Sequence, residues 1–446
     1  MRIVYKRCCG MDVHKNSVTA CVLRIDEDGE FEKQTRYFST MTRDLKEMSG
    51  WLASLGVEAT AMEATGVYWK PVWNILETEK KLQLLLVNAH HVKHVPGRKT
   101  DQKDSEWIAE LLQHGLLKGS FVPPQIIRRL RDLTRTRAKI AQNVATFANR
   151  IQKVLEDANV KLGSVATDPL GLSGRRMLRA LIEGQRDPQQ LSQLACGRLR
   201  KKISQLQLAL EGHFTEHHGF QIKALLELVE FGEKQLCQLE AEIHRLLLLP
   251  EPEPHRSHGS AIAEVDTEVD TSSTPPTSPL QRAVELLDTI PGVDHITAWT
   301  LIAEMGANMD QFGSASRLAK WAGICPGNKD SAGKRLSGKT AKGNIWLRRA
   351  LCEAAWAASR TKDTYLAAQY KHLILRKGKK KTIVAVGHSI LRIAYYLLTR
   401  QCPYAELGGD FFDRSNREAV RSRLVKKLVR MGYQVTLTPI SSGAEA

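Results

Sequence analysis

Four carboxylates sit where their neighbours could turn them to one chemistry. Asp12 lies in Gly10-Met11-Asp12-Val13-His14-Lys15, ahead of a strand-like, β-branched run over 17–25, and Glu63 follows the apolar segment Val57-Glu58-Ala59-Thr60-Ala61-Met62. Asp101 and Asp104 belong to Arg98-Lys99-Thr100-Asp101-Gln102-Lys103-Asp104 and open a helical pattern through Trp107, Ile108, Leu111 and Leu112. Three-residue spacing puts both on one helix face. Two strand-borne acids facing two helix-borne acids suit a pair of hard, oxygen-loving cations such as Mg²⁺. Two-metal sites, with ions roughly 4 Å apart, activate one oxygen and stabilise the other in displacements at phosphorus. Taken singly, each acid reads as an ordinary strand-end or helix-capping residue. As an ordered set on a basic chain they read as a site.

A second stretch, over 326–339, alternates glycines, small hydroxyl residues and cations before Lys342-Gly343-Asn344. Such a loop brings backbone amides and Lys or Arg charge to phosphate oxygens, with Ser331 facing a polarised phosphorus. A serine attacks only where its proton is taken or its alkoxide stabilised, so spacing alone makes Ser331 a turn residue more often than a nucleophile.

The elements that must position these residues follow from periodicity. Over 1–124, strands are expected near 7–12, 17–25, 31–38, 57–62 and 82–87, and helices near 41–54, 69–80 and 101–117. The first three strands, joined by short turns such as Asp26-Glu27-Asp28-Gly29, form an antiparallel meander, and the later ones add in parallel. This is the order of a ribonuclease-H-like α/β domain, with the acids at one end of the sheet. From Leu130 to Ala158 apolar residues recur at spacings of three and four with a polar interruption at Arg137, and a second such stripe runs from Ile222 to Leu246. Both are heptad seams of long helices, pairing as an antiparallel hairpin or with another protomer. Residues 161–198 between them read as turns and short helices.

Residues 250–281 are rich in Pro, Ser, Thr and acids and read as a disordered linker. Beyond it, Ala283-Val284-Glu285-Leu286-Leu287, the turn Ile290-Pro291-Gly292-Val293-Asp294 and a helix through Met305 outline a helix-hairpin-helix. Its turn amides would bind a phosphate, or it is an ordinary helical hairpin; the Asp294 charge weighs against phosphate. The domains expected are therefore 1–124, 125–249, the linker 250–281 and a mostly helical C-terminal domain over 282–446.

The 446 residues carry a formal charge of +17, which suits a polyanionic partner, above all nucleic acid. The eight scattered cysteines form no Cys-x-x-Cys pair, so neither a disulfide framework nor a zinc ribbon is expected, only reduced thiols. His90, His91 and His94 lack further ligands at zinc-site spacing. With neither a signal peptide nor an apolar run of bilayer length, a soluble protein of the cytoplasm, without a membrane partner, is expected. No Walker-type glycine loop is present.

Together, Gly10 to Lys15, Met62-Glu63-Ala64-Thr65-Gly66-Val67-Tyr68-Trp69 and Lys99 to Asp104 resemble the DEDD transposases of bacterial insertion sequences, the IS-one-ten-type recombinases guided by a bridge RNA. Ile290 to Val293, the 326–333 loop and Lys342-Gly343-Asn344-Ile345-Trp346-Leu347-Arg348 resemble the second domain of that family. The likeness covers 8–124 and 284–400. It departs at Ala332 after the serine and at Asp294, where a glycine is usual, and in its long linker.

The resemblance implies a ribonuclease-H-like (RuvC-like) domain joined through a coiled coil to a serine-bearing transposase domain. Asp12, Glu63, Asp101 and Asp104 would bind Mg²⁺, two ions in all, and Ser331 would link covalently to DNA. Target and donor DNA and a structured guide RNA would be partners, base pairing supplying sequence choice. A bacterial, nucleoid-associated homo-oligomer, dimer or tetramer, is implied, the acids of one protomer completing the serine site of another. Two alternatives compete: a Mg²⁺-dependent junction-resolving endonuclease using the acids alone, and a non-catalytic nucleic-acid-binding protein.

Overall fold

The computed structural model describes residues 3–25, 30–64, 66–79, 81–88, 104–249, 278–327, 329–331, 334–337, 339–341, 343–415 and 417–437. The turn at 26–29, the histidines at 90, 91 and 94, Asp101 and the linker stretch 250–277 lie outside these. The described residues fall into two units, divided at Pro123 and Pro124.

The first unit is an α/β domain on one mixed sheet. Its strands are β1 (Arg7–Val13), β2 (Ser17–Ile25), β3 (Phe31–Ser39), β4 (Ala59–Glu63), β5 (Gln83–Val87) and the short β6 (Gly119–Ser120), in the order β3-β2-β1-β4-β5-β6. β1 to β3 form an antiparallel meander, while β4 runs parallel to β1 and β5 parallel to β4. β6 adds antiparallel to β5 and has no periodic signal in the sequence, since two residues are too few to show one.

Period-two alternation gives the sheet two apolar faces. On one, Cys9, Met11, Val13 and Met62 pack with Leu45, Met48 and Leu52 of α1 (Thr42–Ser54) and Val72 and Leu76 of α2 (Trp69–Leu76). On the other, Cys8, Ala59 and Ala61 pack under Ile108, Leu111 and Leu112 of α3 (Asp104–Gln113). α2 ends four residues short of its expected end; Thr78 and Glu79 leave the helix on turn-type hydrogen bonds to Ile75 and Leu76.

The second unit is helical. Its two long helices, α4 (Gln125–Asp157) and α9 (Glu216–Leu247), pack antiparallel within the chain. Arg137, the polar interruption in the first stripe, donates to Glu240 Oε1 of the facing helix at 2.8 Å. Gly232 in the second stripe meets Val144: a Cβ there would lie 2.5 Å from Val144 Cγ2. At the far end the His218 and Asp157 side chains meet at 3.0 Å. Between the long helices, α5 (Leu162–Val165), α6 (Leu172–Ile182), α7 (Pro188–Gln193) and α8 (Ile203–Leu210) close a separate apolar cluster with Ile151, Leu155, Ile222 and Leu226.

The chain is described again from Ser278, whose hydroxyl caps α10 (Pro279–Asp288) with proline at the first turn and Leu280 fully buried. Residues 278–281 are thus a helix start, where composition reads as linker. α11 (His295–Met305) follows the Pro-Gly turn. Gly292 has φ +84°, and a Cβ there would lie 2.4 Å from the Ala358 amide nitrogen, so the turn is pressed onto another helix. The Val293 amide donates to Ile290 O at 2.9 Å, and Asp294 Oδ1 caps α11 through the Thr297 amide at 2.8 Å. Asp294 is therefore a helix cap, and the two helices with their Pro-Gly turn form a helical hairpin.

Next come α12 (Ala315–Trp321), a ribbon of β7 (Lys329–Ser331) and β8 (Lys334–Ser337), and α13 (Ile345–Ala358). α14 (Tyr365–Arg400) bends at Gly378, with φ 71°, and is followed by α15 (Phe411–Ser415) and α16 (Arg417–Arg430). By length and composition α14 is apolar enough to cross a bilayer, contrary to the expectation that no run is; its mostly apolar stretch, interrupted by Arg392, begins directly after the 376–381 cations that mask it in the sequence. In this fold Ile383, Val386, Ile390, Leu391 and Ala394 of α14 pack in the apolar core of the unit.

Candidate acidic site and serine ribbon

The first unit brings three of the four predicted acids to one face of the sheet. In the parallel pairing Met11 lies opposite Met62, so Asp12 and Glu63 each stand one residue beyond that pair on adjacent strands. Alternation puts them on the face that Gly10 and Ala61 share, opposite the buried methionines. That face is covered by α3. Gly10 has no side chain because α3 occupies the space: a Cβ would lie 2.2 Å from Ser105 O and 2.3 Å from the Ala109 amide nitrogen.

The direction of α3 follows from its contacts. Its last residue, Gln113, accepts backbone hydrogen bonds from Val4 at 2.8 Å and Tyr5 at 3.3 Å, before β1 starts. Ala109 O lies 3.6 Å from the Cys8 thiol, and Ser105 lies over Gly10. α3 therefore runs antiparallel to β1, and Asp104 opens it at the end of β1 that carries Asp12.

Asp12 and Glu63 are half-buried. His14 Nε2 stands 3.1 Å from Asp12 Oδ2. Among the described residues no group of three or more His, Cys, Asp or Glu closes into a metal-holding cluster. The donor chemistry nonetheless fits a hard cation: carboxylates on adjacent strand ends, with a third acid on the helix start above the same face.

The thiols nearby are a different matter. Burial pushes the Cys8 thiol up to about 12 and that of Cys9 well above its usual range, and all eight cysteines are free. At neutral pH Cys8 and Cys9 are protonated and behave as small apolar groups.

Ser331 lies in the second unit. It closes β7 and pairs with Lys334 of β8 in an antiparallel ribbon, where the sequence suggested only a glycine-rich loop. Both feet of the ribbon are fixed. Pro326 bridges Thr340, and the Gly327 amide donates to Lys339 O at 2.9 Å. Gly343 packs so closely that a Cβ would lie 2.5 Å from the Gly323 amide nitrogen. Asn344 then caps α13, its Oδ1 accepting from the amides of Trp346 at 3.0 Å and Leu347 at 3.1 Å.

Sequence reasoning missed the charged cluster beside this cap. Glu304 on α11 is completely buried, and Arg135 donates to both its oxygens, at 2.6 and 2.8 Å. Glu304 sits in an apolar helical pattern and its Arg135 partner lies 169 positions away, so no local signal marks it.

Two family models match the chain: a DEDD transposase model over residues 9–160 and one for the IS116/IS110/IS902 transposase family over residues 284–371. The chain is 33% identical over 122 residues to the transposase for insertion sequence element IS1111A of Coxiella burnetii, an alignment covering 26% of this chain and 33% of that relative. It is 25% identical over 346 residues to the insertion element IS116 uncharacterized 44.8 kDa protein of Streptomyces clavuligerus, covering 72% of this chain and 76% of the relative. The first of these alignments thus spans about a third of the relative's own length.

Proposed function

The chain belongs to the IS110-type family of insertion-sequence transposases, and from that premise we propose that it cuts and rejoins DNA strands through a covalent phosphoserine. The observation that carries the reading is the shared sheet face of Asp12, Glu63 and the Asp104 end of α3, on a chain that also holds Ser331 in an anchored ribbon. The sheet order β3-β2-β1-β4-β5 supports a ribonuclease-H-like assignment of the first unit.

In this reading the Ser331 hydroxyl attacks the scissile phosphorus. The new serine O–P bond forms as a strand P–O bond breaks; the serine loses its proton and the leaving strand oxygen gains one. The exchange conserves one phosphodiester-type bond at each step, so no nucleotide is consumed. Lys334 and Arg335, which follow Ser331 closely in the sequence, would offer positive charge for the phosphate oxygens. Asp12, Glu63, Asp101 and Asp104 would hold Mg²⁺, which offsets charge on the phosphate and lowers the proton affinity of a bound oxygen. Target and donor DNA, a structured guide RNA and further copies of the chain are the proposed partners, the formal charge of +17 suiting the polyanions.

The test is cleavage of a junction-like DNA with the cognate RNA and Mg²⁺, comparing wild type with Ser331→Ala. A covalent protein–DNA adduct that vanishes in the variant supports serine recombination. Cleavage that survives without an adduct replaces it with a hydrolytic nuclease using the acids alone.

A further inference from the structure

Glu304 is a carboxylate without exposed surface in the last turn of α11, among the buried Leu301, Ile302, Ala303 and Met305. The position is unfavourable for a negative charge, since the end of a helix presents its carbonyl groups and the negative pole of its dipole. For packing alone, an apolar residue of similar volume would serve at lower cost.

Two groups of partners converge on it. From α4, Arg135 donates through Nε and Nη2 to the two carboxylate oxygens, and Arg131 Nε lies 3.5 Å from Oε2. Arg131 also donates to the carbonyls of Ala303 at 3.0 Å and Glu304 at 2.7 Å, satisfying the helix end. From the start of α13, Asn344 Nδ2 donates to Glu304 Oε2 at 2.5 Å. The α4 contact is extended by Trp346, whose ring lies 5.6 Å from the Arg135 guanidinium and 5.7 Å from the Lys139 ammonium.

Asn344 is the first capped position after the ribbon's anchored foot, four residues beyond the Thr340 bridge. A leucine in place of Glu304 would fill the space, but it could not hold Asn344 and Arg135 together. We propose that Glu304 is a positioning residue for the Ser331 ribbon, fixing the ribbon's foot through Asn344 against Arg135 of the long helix. The arm and the serine ribbon then keep one register. The inference rests on the serine reading for its catalytic consequence, though not for its structural one.

The experiment uses the full chain and three variants: Glu304→Gln, Asn344→Gly and the pair Glu304→Gln with Asn344→Asp. Glycine keeps most of the capping preference while removing the link to Glu304, so Asn344→Gly guards against misfolding of the first variant. Aspartate also caps well, and in the pair the introduced glutamine amide can donate to the introduced carboxylate, restoring the hydrogen bond with its direction reversed. Two readouts are followed: hydrogen exchange of the strand amides over 329–331 and 334–337 and the yield of covalent DNA adduct.

In both single variants, ribbon exchange should rise roughly tenfold and adduct yield fall by a similar factor, as expected for loss of one charge-assisted hydrogen bond. The pair should recover both most of the way. Unchanged ribbon exchange in Asn344→Gly, or a pair no better than Glu304→Gln, overturns the inference. A wild type that forms no adduct overturns the serine reading instead and leaves the exchange comparison to decide the positioning role.

Discussion

Gly10 of β1 and Ser105 of α3 approach until no methyl group fits between them, the would-be Cβ lying 2.2 Å from the Ser105 carbonyl oxygen. The neighbouring strand residue on the same face is Asp12, and the residue before Ser105 is Asp104. One missing side chain therefore sets the distance between the strand that carries the first acid and the helix that starts with another. Backbone atoms surround the space, so the structure cannot absorb a methyl by turning a flexible side chain.

Gly10→Ala should consequently lift α3 off the sheet. Overpacking of this kind costs about 1–3 kcal/mol. The expected outcome is a lower unfolding midpoint for the first unit, with faster amide exchange over 104–113, both read on the purified chain. Unchanged exchange there would show that α3 does not depend on the close approach.

Asp12→Asn removes one negative charge from the proposed cation site while keeping side-chain volume. If Asp12 and Glu63 share a cation, Mg²⁺ affinity by calorimetry should fall at least about tenfold and strand cleavage by roughly a hundredfold or more. Retained affinity would move the metal role away from Asp12.

The bend of α14 at Gly378 carries Lys379, Lys380 and Lys381, all exposed, beside a Leu375 that is 92% exposed. Replacing the three lysines by alanine should weaken binding to DNA or RNA with little dependence on sequence. Each lysine that touches a phosphate should reduce the slope of log K against log salt by about 0.9 for duplex DNA. A slope that does not change would make this run a solvated face.

His388 on α14 has its pKa held below the usual 6.5, first by burial and second by the neighbouring Arg392 cation. The unfolded chain then binds a proton at a higher pH than the folded one. Stability should fall as pH drops through 6.5 and level off once the folded-state value is passed. In His388→Gln this part of the pH dependence of the melting temperature should flatten; an identical profile would place the titration elsewhere.

The local signals were legible in the residues themselves. Period-two alternation located the meander and the two parallel strands, and the 3.5-residue stripes located both long helices, because one buried face imposes its period on the sequence. The acids were legible as strand-end and helix-start residues, and it took the pairing register to put Asp12 and Glu63 on a shared face. Tertiary structure alone decided the rest. Arg137 looked like an interruption until Glu240 lay opposite it, and Asp294 looked like a misplaced charge until its oxygen capped α11. Glu304 carried no signal at all, since a buried carboxylate is intelligible only through Arg131, Arg135 and Asn344, which chain folding brings from far away. Sequence patterns record which side of an element is buried; they do not record what it is buried against.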